Sequence, residues 1–147
     1  DVICVTGGLG GSAGGKHLGF QPRVKEALKI ASLVKVDSMM DISDGLSSDL
    51  RRICRASGVG ALIEADKVPL SSAAEKKDDP LSAALDDGED FELLFTLGAE
   101  QADKLVESWE ETLKITRIGT VEAGDEVRIA MSEGSITSLE PGGYEHL

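Results

Sequence analysis

Met39-Met40-Asp41-Ile42-Ser43-Asp44-Gly45-Leu46-Ser47-Ser48-Asp49-Leu50 is the stretch on which the fold turns. Two apolar residues run into a pair of carboxylates that bracket a hydroxyl, and a glycine follows at once. Beyond the glycine, Leu46, Leu50, Ile53, Cys54 and Ser57 recur at helical spacing, with Asp49, Arg51, Arg52 and Arg55 assigned to other faces. The pattern predicts a strand, a sharp turn and a helix. Ser43 or Asp44 is the expected N-cap, its side chain accepting a bond from an orphan N–H of the first turn. Strand alternation sends Asp41 and Ser43 to one side and Ile42 into the core. Gly58 and Gly60 mark the end of the helix.

Carboxylates this close repel one another. At about 4 Å and an effective dielectric of 20 the cost is roughly 4 kcal/mol, so Asp41 and Asp44 call for a cation or a proton. Hard oxygen ligands of this kind suit a magnesium ion that keeps several waters and also holds phosphate oxygens. The plainer alternative makes Asp44 a helix cap and Asp41 a solvated strand end, and spacing alone leaves both open.

Upstream, Val2 to Thr6 reads as a buried strand that runs into the glycine-rich stretch Gly7 to Lys16. Gly10, Gly15 and Lys16 nearly form a P-loop, but His17 stands where Ser or Thr should hold magnesium, and Pro22 interrupts the helix that should follow. Gly8 to Ala13 fits a dinucleotide fingerprint only loosely. The stretch is therefore a flexible connection whose glycines allow positive φ, or a loop whose free N–H groups meet a ligand phosphate. A helix is expected over 22–34, with Val24, Ala27, Leu28, Ala31, Leu33 and Val34 as its apolar face.

Downstream, Ala61 to Ala65 reads as a strand and Asp66 to Pro80 as a polar connection. A short helix over Pro80 to Leu85 leads into Asp86-Asp87-Gly88-Glu89-Asp90, which taken alone is a solubilising surface turn. The run Phe91 to Leu97 is a strand and 99–113 a helix. Two more strands, Ile115 to Val121 and Val127 to Met131, are separated by a hairpin-type turn at Ala123-Gly124-Asp125-Glu126. Tyr144, the single tyrosine, is a loose terminal residue or an aromatic lid for a flat ligand. The expected architecture is α+β, a mixed sheet of about six strands with helices 22–34, 45–57 and 99–113 packed on it.

The 147 residues are enough for one domain with a proper core, and 41% of them are hydrophobic. Charge is uneven: residues 1–60 carry 8 basic and 6 acidic side chains, net +2, whereas 61–147 carry 7 and 21, net −14. A nucleic-acid partner is excluded, because phosphate backbones demand a basic face. Cys4 and Cys54 have no paired spacing, which argues against a disulfide scaffold or zinc site and fits a reducing cytoplasm. No apolar run reaches spanning length, so no membrane partner is expected.

Met40-Asp41-Ile42-Ser43-Asp44-Gly45-Leu46, then Asp49-Leu50 and Ala56-Ser57-Gly58-Val59-Gly60-Ala61, resembles the second domain of thiamine-monophosphate kinase. Gly88-Glu89-Asp90-Phe91-Glu92-Leu93-Leu94-Phe95 is similar too, although that family often carries Tyr at the position of Phe91. Val5-Thr6-Gly7, Pro22-Arg23-Val24, Ile118-Gly119 and Gly143-Tyr144-Glu145-His146 match in order. The family belongs with the aminoimidazole ribonucleotide and selenophosphate synthetases. The resemblance implies transfer of the γ-phosphate of ATP to thiamine monophosphate. It implies Asp41 and Asp44 as Mg2+ ligands, Ser43 as an ATP-phosphate contact, and Glu89 and Tyr144 as substrate-binding residues. The family's N-terminal domain, with its own magnesium-binding aspartates and much of the ATP site, is absent. Residues 1–147 are thus expected to be the C-terminal domain of a two-domain kinase that is a homodimer when complete. Another ATP-using synthetase of the same superfamily, or a binding module without chemistry, is the alternative.

Overall fold

Leucine- and β-branched-rich runs that alternate across a pleat build the centre of the molecule. The computed structural model describes residues 1–12, 19 and 21–142. It contains β1 (Val2–Thr6), α1 (Val24–Leu33), β2 (Ser38–Asp41), α2 (Leu46–Ser57), β3 (Gly60–Glu64), α3 (Pro80–Asp86), β4 (Leu93–Leu97), α4 (Ala99–Ser108), β5 (Ile115–Glu122), β6 (Val127–Ala130) and β7 (Ile136–Ser138). The strands form one sheet in the order β2-β4-β1-β5-β3-β6-β7. Neighbours are antiparallel except β3 and β6, which makes the sheet mixed and the fold α+β as expected.

Alternation divides the core in two. Ile3 and Val5 of β1 and Leu94 of β4 face Leu46, Leu50 and Cys54 of α2 and Ala84 of α3. Cys4, Leu93, Phe95 and Leu97 face the other way, toward Ile30 of α1 and Ala102 and Leu105 of α4. Both cysteines are buried and free. Burial pushes the Cys4 thiol up to about 12, so it stays a neutral core side chain. Among the described residues no helix is long and apolar enough to cross a membrane.

Several expectations are corrected. The sheet has seven strands where about six are expected, because the polar segment after Gly134 pairs with β6 as an exposed edge. The turn at 123–126 is not a hairpin: β3 lies between β5 and β6, antiparallel to the first and parallel to the second. Helix α1 starts after Arg23 and buries Ile30, while Val24 and Leu28 are 60% and 68% exposed, so its apolar residues exceed the space the sheet offers. Helix α4 stops at Ser108, where Trp109 leaves the helical path and its indole N–H donates to the Leu113 carbonyl at 2.8 Å. Strand β4 begins at Leu93, not Phe91, because Phe91 sits at φ 53°.

Candidate functional site

Antiparallel pairing carries β2 along β4 until Asp41 faces Leu93. Beyond the strands the contact continues through backbone bonds. Ile42 N–H donates to the Glu92 carbonyl, Phe91 N–H to the Ile42 carbonyl and Glu89 N–H to the Ser43 carbonyl, each at 2.8 Å. The Asp-Ile-Ser-Asp turn and the Gly-Glu-Asp loop, about 45 residues apart in sequence, therefore lie side by side. Gly88 is dictated by this approach, since a Cβ there would stand 2.8 Å from the Ser43 carbonyl oxygen. Glu89 and Phe91 are the described non-glycine residues with positive φ, at 64° and 53°. Backbone held in so sparsely populated a region is a feature that clusters at ligand sites.

Asp41 is exposed at the end of β2, Ile42 is fully buried as alternation required, and Ser43 and Asp44 are half-buried. The cap is not Ser43 or Asp44. Gly45 holds that position at φ 105°, without a side-chain bond, and the Asp86 carbonyl 3.0 Å from its would-be Cβ leaves no room for a side chain. Asp49 fastens the turn from inside the helix. Its Oδ2 accepts from the N–H groups of Ser43 at 2.8 Å and Asp44 at 3.0 Å. Asp49 is fully buried, not outward-facing. Spacing held the signal, for Asp49 stands three residues after Leu46 and four before Ile53, on the apolar face. Burial raises the Asp49 carboxyl above its ordinary range, against the two N–H bonds and Arg52, which lower it.

Asp44 meets a cation of the protein's own. Arg52 places Nη2 2.5 Å from Asp44 Oδ2 and Nη1 2.5 Å from Asp49 Oδ1. The bond to Asp44 is the main reason its guanidinium is held still more basic than usual.

Glu89 is exposed, and its loop is braced from behind by the glycine stretch. Gly10 N–H donates to the Asp90 carboxylate at 2.9 Å and Gly11 N–H to Asp87 Oδ2 at 2.8 Å, while the Ser12 hydroxyl donates to the Gly88 carbonyl. The N–H groups of Gly10 and Gly11, expected either to be idle or to meet a phosphate, thus bind the protein's own carboxylates. Asp86, Asp87 and Asp90 are accordingly internal fastenings rather than the solubilising turn that the cluster suggests taken alone, while Glu89 stays exposed. Glu92 closes the loop. It is buried, accepts from Thr6 Oγ1 at 2.7 Å, and takes Arg23 Nε at 3.0 Å and Nη2 at 2.9 Å.

A groove of about 280 Å³ opens beside these motifs, lined by Pro22, Arg23, Val24, Met40, Asp41 and Phe91 among others. On the opposite flank, Gly142 N–H reaches Ser47 Oγ at 3.4 Å, Ser47 donates to Asp86 at 2.7 Å, and Arg51 Nη2 donates to the Leu139 carbonyl at 2.5 Å. Residues 139–142 are thus fastened to the first turns of α2. Tyr144 lies outside the described residues.

Asp41 and Asp44 offer hard carboxylate oxygens. Among the described residues no three His, Cys, Asp or Glu side chains converge into a closed metal cage. That donor set fits Mg2+, which uses one or two carboxylates and completes its shell with water and phosphate oxygens, and does not fit zinc.

The family model for AIR synthase related protein, C-terminal domain, matches residues 1–132. The thiamine-monophosphate kinase of Rhodopirellula baltica is 38% identical over 151 residues, which cover 99% of this chain and 48% of that protein. The crystal structure of thiamine-monophosphate kinase from Stenotrophomonas maltophilia K279a superposes with a TM-score of 0.75 at 32% identity, over 88% of this chain and 49% of that one. AaThiL complexed with AMPPCP and TMP superposes with a TM-score of 0.75 at 31% identity, over 100% of this chain and 51% of that one. The chain spans about half the length of the curated relatives it matches.

Proposed function

Because the chain belongs to the AIR synthase related protein, C-terminal domain family, we propose that it is the C-terminal half of a kinase that transfers the γ-phosphate of ATP to thiamine monophosphate, giving thiamine diphosphate. The observation that carries this reading is the bond from Glu89 N–H to the Ser43 carbonyl at 2.8 Å, which ties the candidate phosphate-and-metal turn to the candidate substrate loop. The relatives named thiamine-monophosphate kinase, and the AaThiL complex with AMPPCP and TMP, support it.

In this reading Asp41 and Asp44 hold Mg2+ and Ser43 binds a nucleotide phosphate. A Mg2+ ion held by these carboxylates would neutralise charge on the phosphate oxygens. Phosphoryl transfer asks the protein for positioning rather than a covalent catalyst, and the chain's own part is a turn locked by Asp49 and a loop locked by Asp87, Asp90 and Glu92. Glu89 binds thiamine monophosphate, by charge or by hydrogen bond. Tyr144 meets the thiamine end, where an aromatic face suits a cationic ring. It follows Gly142 by two residues, a covalent reach of at most about 7 Å. The rest of the ATP site comes from an N-terminal domain, the complete enzyme is a homodimer, and its compartment is the cytoplasm.

Mixing the 147-residue chain with a separately produced N-terminal half tests the assignment. Recovery of magnesium-dependent phosphorylation of thiamine monophosphate supports it, and ligand binding without turnover in any combination refutes it. In the full-length enzyme, Asp41→Asn or Asp44→Asn should cut turnover about a hundredfold with little loss of stability. Glu89→Ala should raise the KM for thiamine monophosphate and leave the fold intact.

A further inference from the structure

The Arg52 guanidinium joins Asp44 of the turn to Asp49 of α2, and its two ends sit in different surroundings. Nη1 lies on Asp49, which has no exposure to water, whereas Nη2 lies on Asp44, whose side chain is 16% exposed. The Arg52 side chain itself is 45% exposed, so it has solvent to move into. We propose that Arg52 is a positioning arm that holds the Asp44 carboxylate when no metal is bound and must release it when a divalent cation arrives, pivoting on Asp49. The inference rests on the reading of Asp44 as a metal ligand.

The physical case has three steps. A guanidinium and a divalent cation bound at the same carboxylate repel one another, so one weakens the other. Asp49 cannot be the end that lets go. Its Oδ2 is already taken by the amides of Ser43 and Asp44, and loss of Arg52 would leave a buried carboxylate with those two bonds alone. The exchange is therefore confined to Nη2 and Asp44 Oδ2. Such an arm keeps Asp44 fixed in the empty site and costs the incoming ion part of its affinity.

The test is Mn2+ binding to the full-length protein, read from the electron paramagnetic resonance of the free ion. Arg52→Met should lower the Mn2+ dissociation constant about fourfold. The double variant Asp49→Asn with Arg52→Met should do the same without a stranded buried charge, which covers the case in which the single variant folds poorly. Arg55→Met, which removes a charge from the same helix without touching the turn, should stay within about twofold. Asp44→Asn should raise the constant at least tenfold. If Asp44→Asn weakens Mn2+ binding but neither Arg52 variant tightens it, or Arg55→Met tightens it equally, the arm is refuted and the metal reading stands. If Asp44→Asn leaves Mn2+ binding unchanged, or the unaltered protein binds no Mn2+, the metal reading fails and the arm with it.

Discussion

Asp49 and Glu92 are both withdrawn from water, at 0% and 2% exposure, on the two sides of the same site, yet they are held in different ways. Glu92 is gripped at both oxygens by one guanidinium, whose Nη1 also reaches Glu26 at 3.5 Å. Arg23 grips it with Nε and Nη2, and Thr6 donates to it while accepting the Leu93 N–H at 2.8 Å. Asp49 spends one oxygen on two backbone N–H groups and shares the guanidinium at its other oxygen with Asp44. The first arrangement joins β1, the start of α1 and β4. The second fixes a turn while leaving one bond exchangeable. A buried charge can thus be a rivet or a pivot, and the difference lies in how the guanidinium is spent: Arg23 gives two nitrogens to the two oxygens of Glu92, whereas Arg52 divides its two between Asp49 and Asp44.

The sharpest way to break this comparison is to remove the rivet. Arg23→Met removes both guanidinium bonds to the buried Glu92 carboxylate, and breaking a buried pair of this kind costs about 3 kcal/mol. Urea unfolding should show that loss. A change below about 1 kcal/mol would mean that Glu92 is not enclosed in solution.

Removing the pivot should cost less. Asp49→Ala deletes the acceptor of two N–H bonds, worth about 1 kcal/mol each, so about 2 kcal/mol is expected. Its distinguishing mark is local: amide hydrogen exchange at Ser43 and Asp44 should accelerate well before the sheet amides respond. Uniform acceleration would make Asp49 an ordinary core residue.

How legible these two carboxylates were in the sequence differs as much as their surroundings. Strand and helix identities followed from period and from glycine punctuation, as in the αL Gly58 that ends α2 at φ 66°. The site's two motifs were quotable as they stand, and backbone pairing of β2 with β4 brings them together. Asp49 was misassigned although its spacing from Leu46 and Ile53 marked the buried face, because a charged residue is so rarely fully buried. Glu92 carries no such local signal, since its partners Thr6 and Arg23 are 86 and 69 residues away. The insertion of β3 between β5 and β6 was invisible for the same reason: strand neighbours are set by long-range packing, and a turn sequence such as that at 123–126 records only that the chain reverses.

The smallest expected effect discriminates best between rivet and pivot, because it concerns screening rather than size. The Arg52 side chain is 45% exposed, so its bond to Asp44 has the character of a surface pair, with a coupling below about 1 kcal/mol in 0.1 M salt. Raising salt from about 0.1 M to 1 M shortens the screening length from about 10 Å to about 3 Å. A double-mutant cycle between Asp44→Asn and Arg52→Met should therefore lose most of its coupling across that range. The cycle between Arg23→Met and Glu92→Gln should keep most of its own, since Glu92 is withdrawn from the ions. If the Asp44–Arg52 coupling were as large and as salt-resistant as the Arg23–Glu92 coupling, Arg52 would be as fixed as Arg23, and the exchange at Asp44 would have no bond weak enough to open.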